Sequence, residues 1–298
     1  LYVLYAIGDV LNGSYRVLDG EENLPPSLAA YHAKLIEKLG IGALHEILTP
    51  LAAGLAVARE PLSQRKIFQL LLFMNRMEKD EEELLDRALL ALSGMLSTAP
   101  DPEGEIGYRL FHQSLKEHIL QNQEMEGPVK RAKRAFADLA KNSNPPPELK
   151  NYLLRCGIDH LVDVGRKEKA ERLLLDLDHL YAMNQQGIEA LSIYQYWNKL
   201  EGEKRAILYV DSVKNMLSQQ AENEDFRKAA LVSEIARFGL WNKINISIEK
   251  LIINKSLELG LENQNLIKSY QNIGRALTSM GNGFDAIGWH KKARILHE

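Results

Sequence analysis

The second half of the sequence is a succession of helix-forming stretches joined by very short turns that usually contain Gly or Asn. Apolar residues recur there at intervals of three and four, the spacing that gives a helix one buried face. Connections this short place neighbouring helices antiparallel. The pattern therefore predicts an α-solenoid of antiparallel helix pairs over residues 148–298. The predicted helices lie near residues 148–164, 166–181, 185–199, 203–220, 223–237, 243–259, 263–280 and 283–297.

The end of the chain fits one unit of the tetratricopeptide (TPR) repeat, a helix–turn–helix of about 34 residues. Residues 266–298 carry its apolar stripe, and small residues stand where the two helices must approach closely. These small residues are Gly274, Ala286 and Ala293. A degenerate unit is expected before it. TPR-like repeats are therefore predicted over residues 226–298, and a helical superhelical region over residues 148–225.

The first 121 residues mix helical patterns with a short stretch of strand character. Residues 1–43 predict a helical domain remnant, and residues 44–59 predict a helix so rich in Ala and Leu that it is buried on most sides. Pro50 is expected to kink or restart that helix. Residues 97–106 carry the Pro and Gly of a hairpin loop. Helices followed by a hairpin are the local order of a winged-helix domain, which is predicted over residues 44–121.

Residues 107–120 change from the period of a strand to the period of a helix, and His112 stands at the junction. Two interpretations of His112 stay open. It is either a partly buried histidine at a strand end, or a sensor whose imidazole donates a hydrogen bond or a charge to the phosphate of a nucleotide bound by a neighbouring domain. A catalytic pair of His112 with Ser114 is disfavoured, because no orienting acid and no nucleophile elbow accompany it.

Charge and composition narrow the class of function. The chain carries a net charge of −3, which argues against binding nucleic acid through bulk charge. No apolar run reaches the roughly 18–20 residues that cross a bilayer, so no membrane association is expected. The single cysteine, Cys156, excludes an intrachain disulfide and is expected to be a buried thiol, which suits a reducing, cytoplasmic compartment.

Residues 122–147 are predicted to be a boundary that holds one basic helix and a proline-rich linker. The basic helix covers residues 130–141, and its cluster of Lys and Arg is interpreted as a charged outer face or, alternatively, as a phosphate-binding surface.

Aromatic side chains of the second half form a candidate protein-binding set. Core packing between helices and a recognition face on a concave solenoid surface both account for them. The set consists of Tyr194, Tyr196, Trp197, Trp241 and Trp289.

Short motifs that would carry catalysis are missing from the sequence. No phosphate-cradling G-x-x-x-x-G-K-[ST] loop occurs. His45-Glu46 lacks the second histidine of a metalloprotease motif, since Thr49 stands in its place, and Cys156 has no second cysteine for zinc. The chain is therefore expected to be no enzyme by itself and to hold neither cofactor nor metal.

Residues 1–120 resemble the helical-domain and winged-helix portion of STAND-type signalling NTPases of the NACHT and NB-ARC kind. Leu1-Tyr-Val-Leu-Tyr-Ala-Ile-Gly-Asp9 resembles the helix that follows the family's Gly-x-Pro motif. Phe111-His-Gln-Ser-Leu-Lys-Glu117 is similar to the winged-helix signature whose histidine contacts the β-phosphate of ADP. Further segments are similar to bacterial members. These are Leu24-Pro-Pro-Ser-Leu28, Leu39-Gly-Ile-Gly42, Leu48-Thr-Pro-Leu51, Ala58-Arg-Glu-Pro-Leu62, Tyr152-Leu-Leu-Arg155, His160-Leu-Val162 and Gly165-Arg166.

The resemblance implies a regulatory role in a longer parent protein, with His112 as the ADP phosphate sensor. The winged helix would close over ADP and hold the protein inactive, and the solenoid would sense a ligand. Ligand binding would favour an open, oligomerising state. The family's P-loop, Walker B acid and arginine sensor are absent from the sequence, so ADP or ATP is expected in the parent protein, on a nucleotide-binding domain before Leu1. The implied partners are that domain, an unknown protein or peptide ligand, and further copies of the parent.

Two other functions stay open. One is a TPR-type scaffold that binds only protein, without a nucleotide role. The other is a STAND-related transcription regulator. The regulator is disfavoured because the helix predicted over residues 80–96 is acidic and would repel DNA, so a nucleic-acid partner is not expected.

Overall fold

The computed structural model describes residues 27–39, 44–201, 205–219, 221–261 and 263–297. Within these residues the fold is mainly helical, with fifteen α-helices and one three-stranded sheet. The predicted mainly α fold with a small β element is thereby confirmed. The helix predicted near the start of the chain lies outside the described residues. Among the described helices, none combines the length and the apolar character that crossing a bilayer requires.

The chain divides into two compact units, residues 1–164 and 165–298. Seven helices are described in the first unit: α1 (Leu28–Leu39), α2 (His45–Val57), α3 (Gln64–Phe73), α4 (Glu82–Ala91), α5 (Gln113–Gln121), α6 (Glu126–Ala140) and α7 (Pro147–Asp163). Eight are described in the second: α8 (Lys167–Leu175), α9 (Leu177–Gln185), α10 (Ala190–Leu200), α11 (Leu208–Ser218), α12 (Asn223–Phe238), α13 (Asn242–Glu258), α14 (Asn263–Ser279) and α15 (Gly283–His297). The finer division into five segments stays a prediction.

Helix α2 is the central element of the first unit. Its side chains are buried on nearly every side, as its Ala- and Leu-rich sequence predicts, and it packs against α5, α6 and β3. Pro50 does not restart this helix, since α2 continues from His45 to Val57; the predicted kink stays a prediction. Thr49 does not start a new helix, and its hydroxyl instead donates to the carbonyl of Leu39 at 3.4 Å. Burial on all sides compensates for the one helical hydrogen bond that proline cannot donate.

The sheet of the first unit contains β1 (Leu62–Ser63), β2 (Leu96–Pro100) and β3 (Ile106–Leu110), in the antiparallel order β1-β3-β2. The hairpin is tighter than predicted, because Ser97 to Pro100 already pair with β3. Gly107 pairs with Ser63 on one side and Ala99 on the other. A Cβ at Gly107 would lie 2.8 Å from the Cβ of Pro61, so glycine permits this close approach of strands.

The second unit follows the predicted order of helices and short turns, with one break that the pattern does not predict. The stretch predicted as a single helix over residues 166–181 is two helices, because Asp176 caps a new one. Its carboxylate accepts hydrogen bonds from the backbone N–H groups of Asp178 and His179 at 3.0 and 3.1 Å. This capping contact is the reason that Asp176 ends α8 and starts α9.

Candidate functional site

His112 occupies the boundary between β3 and α5, where it is the N-cap residue of α5. Its backbone is extended, and its Nδ1 accepts a hydrogen bond of 3.1 Å from the backbone N–H of Ser114. The Ser114 hydroxyl lies 2.5 Å from the same nitrogen. Leu115 and Ile119, on the opposite side of α5, are fully buried, which fixes the helix against the core. The strand-to-helix junction predicted from the sequence is therefore present, with His112 at it.

The contact at Nδ1 determines which protons the His112 ring carries. A nitrogen that accepts a hydrogen bond cannot carry a proton, so the neutral ring is protonated at Nε2. An imidazole in this tautomer presents an N–H donor at Nε2. A phosphate oxygen accepts such a bond well.

Three basic side chains line the same cavity of about 400 Å³ as His112, namely Arg59, Arg109 and Lys116. The cavity lies at the N-terminus of α5, whose first turn holds no acidic residue. Backbone N–H groups at a helix N-terminus and the helix dipole both favour negative charge. Cations, the imidazole and the helix terminus therefore converge on a space suited to an anion.

The lining of this cavity carries three basic side chains and one carboxylate, that of Glu60, which is paired with Arg155. Lys116 donates to the carbonyl of Ala58 at 2.8 Å, and its burial, followed by the positive charge of Arg59, lowers the pKa of its ammonium group. Arg59 pairs with Asp163 at 2.5 Å, in a contact that stays partly open to solvent. A bound anion would relieve the repulsion between the two cations.

A buried network of charges holds the sheet hairpin, and sequence reasoning missed it. Lys66 of α3 lies 2.6 Å from Asp101 and also contacts Glu103. Arg155 of α7 reaches Glu103 at 2.7 Å. Burial acts to raise the pKa of Asp101, but the hydrogen bond from Lys66 holds that pKa below its ordinary value. Two of the three acids of the hairpin loop, Asp101 and Glu103, are thus tied to helices, which fixes the strand that leads to His112.

The candidate aromatic residues pack mainly against one another inside the second unit. Trp197 is fully buried, and its indole N–H donates to the hydroxyl of Tyr209 at 2.9 Å. Trp241 lies edge-on to both Tyr194 and Trp197, at centroid distances of 5.7 and 6.5 Å. This arrangement favours core packing over a recognition face for Trp197.

The remaining two aromatic candidates differ in burial and position. Tyr196 is buried, with only 8% of its surface exposed. Trp289 is half-buried beside Tyr270, and the ammonium of Lys292 lies 4.4 Å from its ring centroid. Among the described residues, Trp289 makes no ring contact with the cluster around Trp197. A role of these side chains in binding a protein stays a prediction.

In the part of the chain that the structure describes, neither Cys156 nor a cluster of metal-ligating side chains forms a candidate reactive or metal site. Cys156 is buried, and burial together with the Glu60 carboxylate raises the pKa of its thiol. A thiol with a raised pKa is unreactive near neutral pH. No group of three or more His, Cys, Asp or Glu side chains among the described residues could hold a metal ion.

Comparison with models of protein families, with curated proteins and with solved structures finds no match to this chain.

Proposed function

We propose that this chain is the regulatory and sensor segment of a STAND-type signalling NTPase in the cytoplasm. Residues 44–121 would form its winged-helix domain and residues 226–298 its TPR-like repeats. The winged helix would hold the ADP-bound inactive state, with the nucleotide supplied by a neighbouring domain of the parent protein. The repeats would bind a protein or peptide, and that binding would favour an open state that oligomerises.

The observation that supports this proposal most directly is the placement of His112. The ring caps α5 through Nδ1, and the same residue lines the cavity. Arg59 and Lys116 lie at the same cavity and would share the charge of the phosphates. An ADP that leaves this cavity would restore the repulsion between them, so the closed arrangement is favoured while the nucleotide is present.

The substitution His112→Asn separates the two roles of the ring. Asparagine is among the best N-cap residues, so α5 keeps its cap while the imidazole donor is lost. In the complete protein with its nucleotide-binding domain, we expect fluorescently labelled ADP to dissociate about tenfold faster, as expected for the loss of one hydrogen bond to a charged group. His297→Asn, at an exposed histidine of α15, is the matched control and should leave the dissociation rate unchanged.

An unchanged ADP dissociation rate in a folded His112→Asn protein would contradict the sensor role. His112 would then be only a helix cap, which is the other interpretation that the sequence leaves open.

A TPR-type scaffold without a nucleotide role is the alternative that a specific observation favours. That observation is a polar groove in the second unit, described below, which does not depend on the first unit. The transcription regulator gains no such support, because α4 begins with the acidic residues Glu82 and Glu83.

A further inference from the structure

A groove of about 250 Å³ lies between α12, α13 and α14 of the second unit. Basic and amide side chains dominate the polar part of its lining. The residues that matter for its chemistry are Arg237 of α12, Asn245 and Glu249 of α13, and Lys268, Asn272 and Arg275 of α14. We call this the polar groove.

The bottom of the polar groove is a closed hydrogen-bond network. Glu249, which is 2% exposed, accepts bonds from the Ser233 hydroxyl and, at 2.6 Å, from the Asn272 amide. The Asn245 amide donates to the carbonyl and hydroxyl of Ser233 at 2.9 and 2.8 Å. Two donors thus share the charge of Glu249, and the network orients the Asn245 and Asn272 amides without any ligand.

The edge of the polar groove carries three basic side chains, Arg237, Lys268 and Arg275. Lys268 and Arg275 are both exposed, and among the described residues neither forms an ion pair. They stand seven positions apart on α14, so they lie on one face of it, about 10 Å apart along the axis. Arg237 adds a third positive charge, partly balanced by Glu234 at 3.1 Å.

We infer that the polar groove binds an extended acidic peptide segment, which specifies the ligand of the repeat half of the proposed function. An extended chain of the polyproline II type rises about 3.1 Å per residue and returns to the same side every third residue. Two carboxylates three positions apart would therefore meet Lys268 and Arg275 together. The side-chain carbonyl of Asn272, which is half-buried, would accept a hydrogen bond from the peptide backbone.

The lining favours a peptide over a nucleic acid. Glu234 and Glu249 also line the groove. A phosphate backbone carries a charge at every nucleotide and would bring some of these charges against the two carboxylates, whereas a peptide with two carboxylates three positions apart can place both at Lys268 and Arg275. The groove has no described aromatic side chain in its lining apart from Phe226, and stacking of unpaired bases needs such surfaces.

A labelled probe peptide tests this inference. The probe is a capped peptide with two glutamates three positions apart among alanines and glycines, and its matched control carries glutamines instead. We expect the glutamate peptide to bind this chain in fluorescence anisotropy, more weakly as salt is added, and the glutamine peptide to bind at least tenfold less tightly.

The double variant Lys268→Glu/Arg275→Glu should weaken binding of the glutamate peptide about tenfold or more. Its matched control is Lys243→Glu/Lys250→Glu, which makes the same charge change at the same spacing on exposed positions of α13 outside the groove. A probe with lysines in place of the glutamates should bind the Lys268→Glu/Arg275→Glu protein better than the unmodified chain, which excludes misfolding as the cause of the loss.

Three results would overturn the inference. Equal binding of the glutamate and glutamine peptides would show that no acidic group is recognised. Equal losses in both double variants would show only general attraction to a positive surface. If an oligothymidylate binds more tightly than the glutamate peptide and loses this binding only in the Lys268→Glu/Arg275→Glu protein, the groove is a nucleic-acid site. Each result is independent of the ADP experiment, so the groove and the sensor role of His112 can fail separately.

Discussion

Arg155 and Glu60 lie ninety-five positions apart in the chain and form a two-pronged ion pair, with guanidinium–carboxylate distances of 3.0 to 3.1 Å. The same guanidinium reaches Glu103 of the hairpin loop. One side chain of α7 therefore connects the segment before β1 with the turn between β2 and β3. The Arg155 side chain is 8% exposed and those of Glu60 and Glu103 are 21% and 25% exposed, so water could replace the guanidinium only in part.

Arg155→Met should destabilise the first unit strongly. The variant keeps much of the side-chain length but leaves Glu60 and Glu103 without their shared cation. Removing one partner of a buried ion pair costs about 3–5 kcal/mol. We expect urea denaturation to show a loss of that order, and amide hydrogen exchange to accelerate over residues 96–110.

The matched control is Lys130→Met in α6, which removes an exposed i,i+4 pair with Glu126. Its urea midpoint should stay within error of the original. A midpoint for Arg155→Met equal to that of the control would show that the network adds nothing to stability.

Gly107→Ala should destabilise the sheet through backbone contact. The new methyl group would lie 2.8 Å from the Cβ and 3.1 Å from the carbonyl carbon of Pro61, and 3.3 Å from the carbonyl oxygen of Ala99. These atoms belong to paired strands or to the residue next to one, so they cannot move away as a flexible side chain could. Overpacking of this kind costs about 1–3 kcal/mol, which calorimetry should detect as a lower unfolding temperature.

Gly288→Ala provides the opposite case on α15, where a Cβ would meet nothing within 4 Å. Alanine is the better helix former, so stability should rise by up to about 1 kcal/mol. If Gly107→Ala and Gly288→Ala change the unfolding temperature equally, the contact with Pro61 is not what destabilises the Gly107→Ala protein.

Acidification should weaken the first unit through His32. This residue of α1 is 2% exposed, its Nε2 has no hydrogen-bond partner among the described residues, and its ring centroid lies 5.7 Å from that of His118. Burial, then the charges of His118 and His112, lowers the pKa of His32 from 6.5 to about 4. Between these values the unfolded chain binds the proton and the folded chain does not. Stability is therefore full above about pH 6.5 and falls as the pH drops toward 4.

His32→Leu should flatten this dependence while keeping the site apolar. In urea denaturation from pH 7 to pH 5, the free energy of unfolding of the original protein should fall more steeply than that of the variant, by at most about 1.4 kcal/mol per pH unit. A remaining slope is expected from His160, whose pKa burial also lowers to about 4. His45→Gln, at an exposed position, should retain the full slope. Parallel curves for the original protein and His32→Leu would rule out His32 as the source.

Local periodicity predicts much of this fold but little of its charge network. The burial of α2 and the junction at His112 follow from patterns within a few residues, and both are present. Lys66 and Asp101 pair across thirty-five positions, which no local pattern encodes. One signal was available: Lys66 stands four positions before Leu70 and so shares the apolar face of α3.

The polar groove escaped sequence reasoning for a similar reason. Lys268, Asn272 and Arg275 share one face of α14, and a polar stripe on a helix is usually solvated. Only the packing of α12 and α13 beside that face turns it into a concave surface with a buried carboxylate. At Pro50 a local signal misleads instead. Proline favours the restart of a helix, but the burial of α2 outweighs this preference and the helix continues.

The sheet order also sets a constraint on synthesis. β3 is the central strand, yet it is the last of the three to leave the ribosome, so β1 has no partner until residues 106–110 have emerged. During that interval α2 and α3 expose apolar faces that the sheet and α5 later cover. Pairing of distant strands slows folding. The faces of α2 and α3 that the sheet covers can therefore be buried only after β3 has emerged, and until then they are open to aggregation.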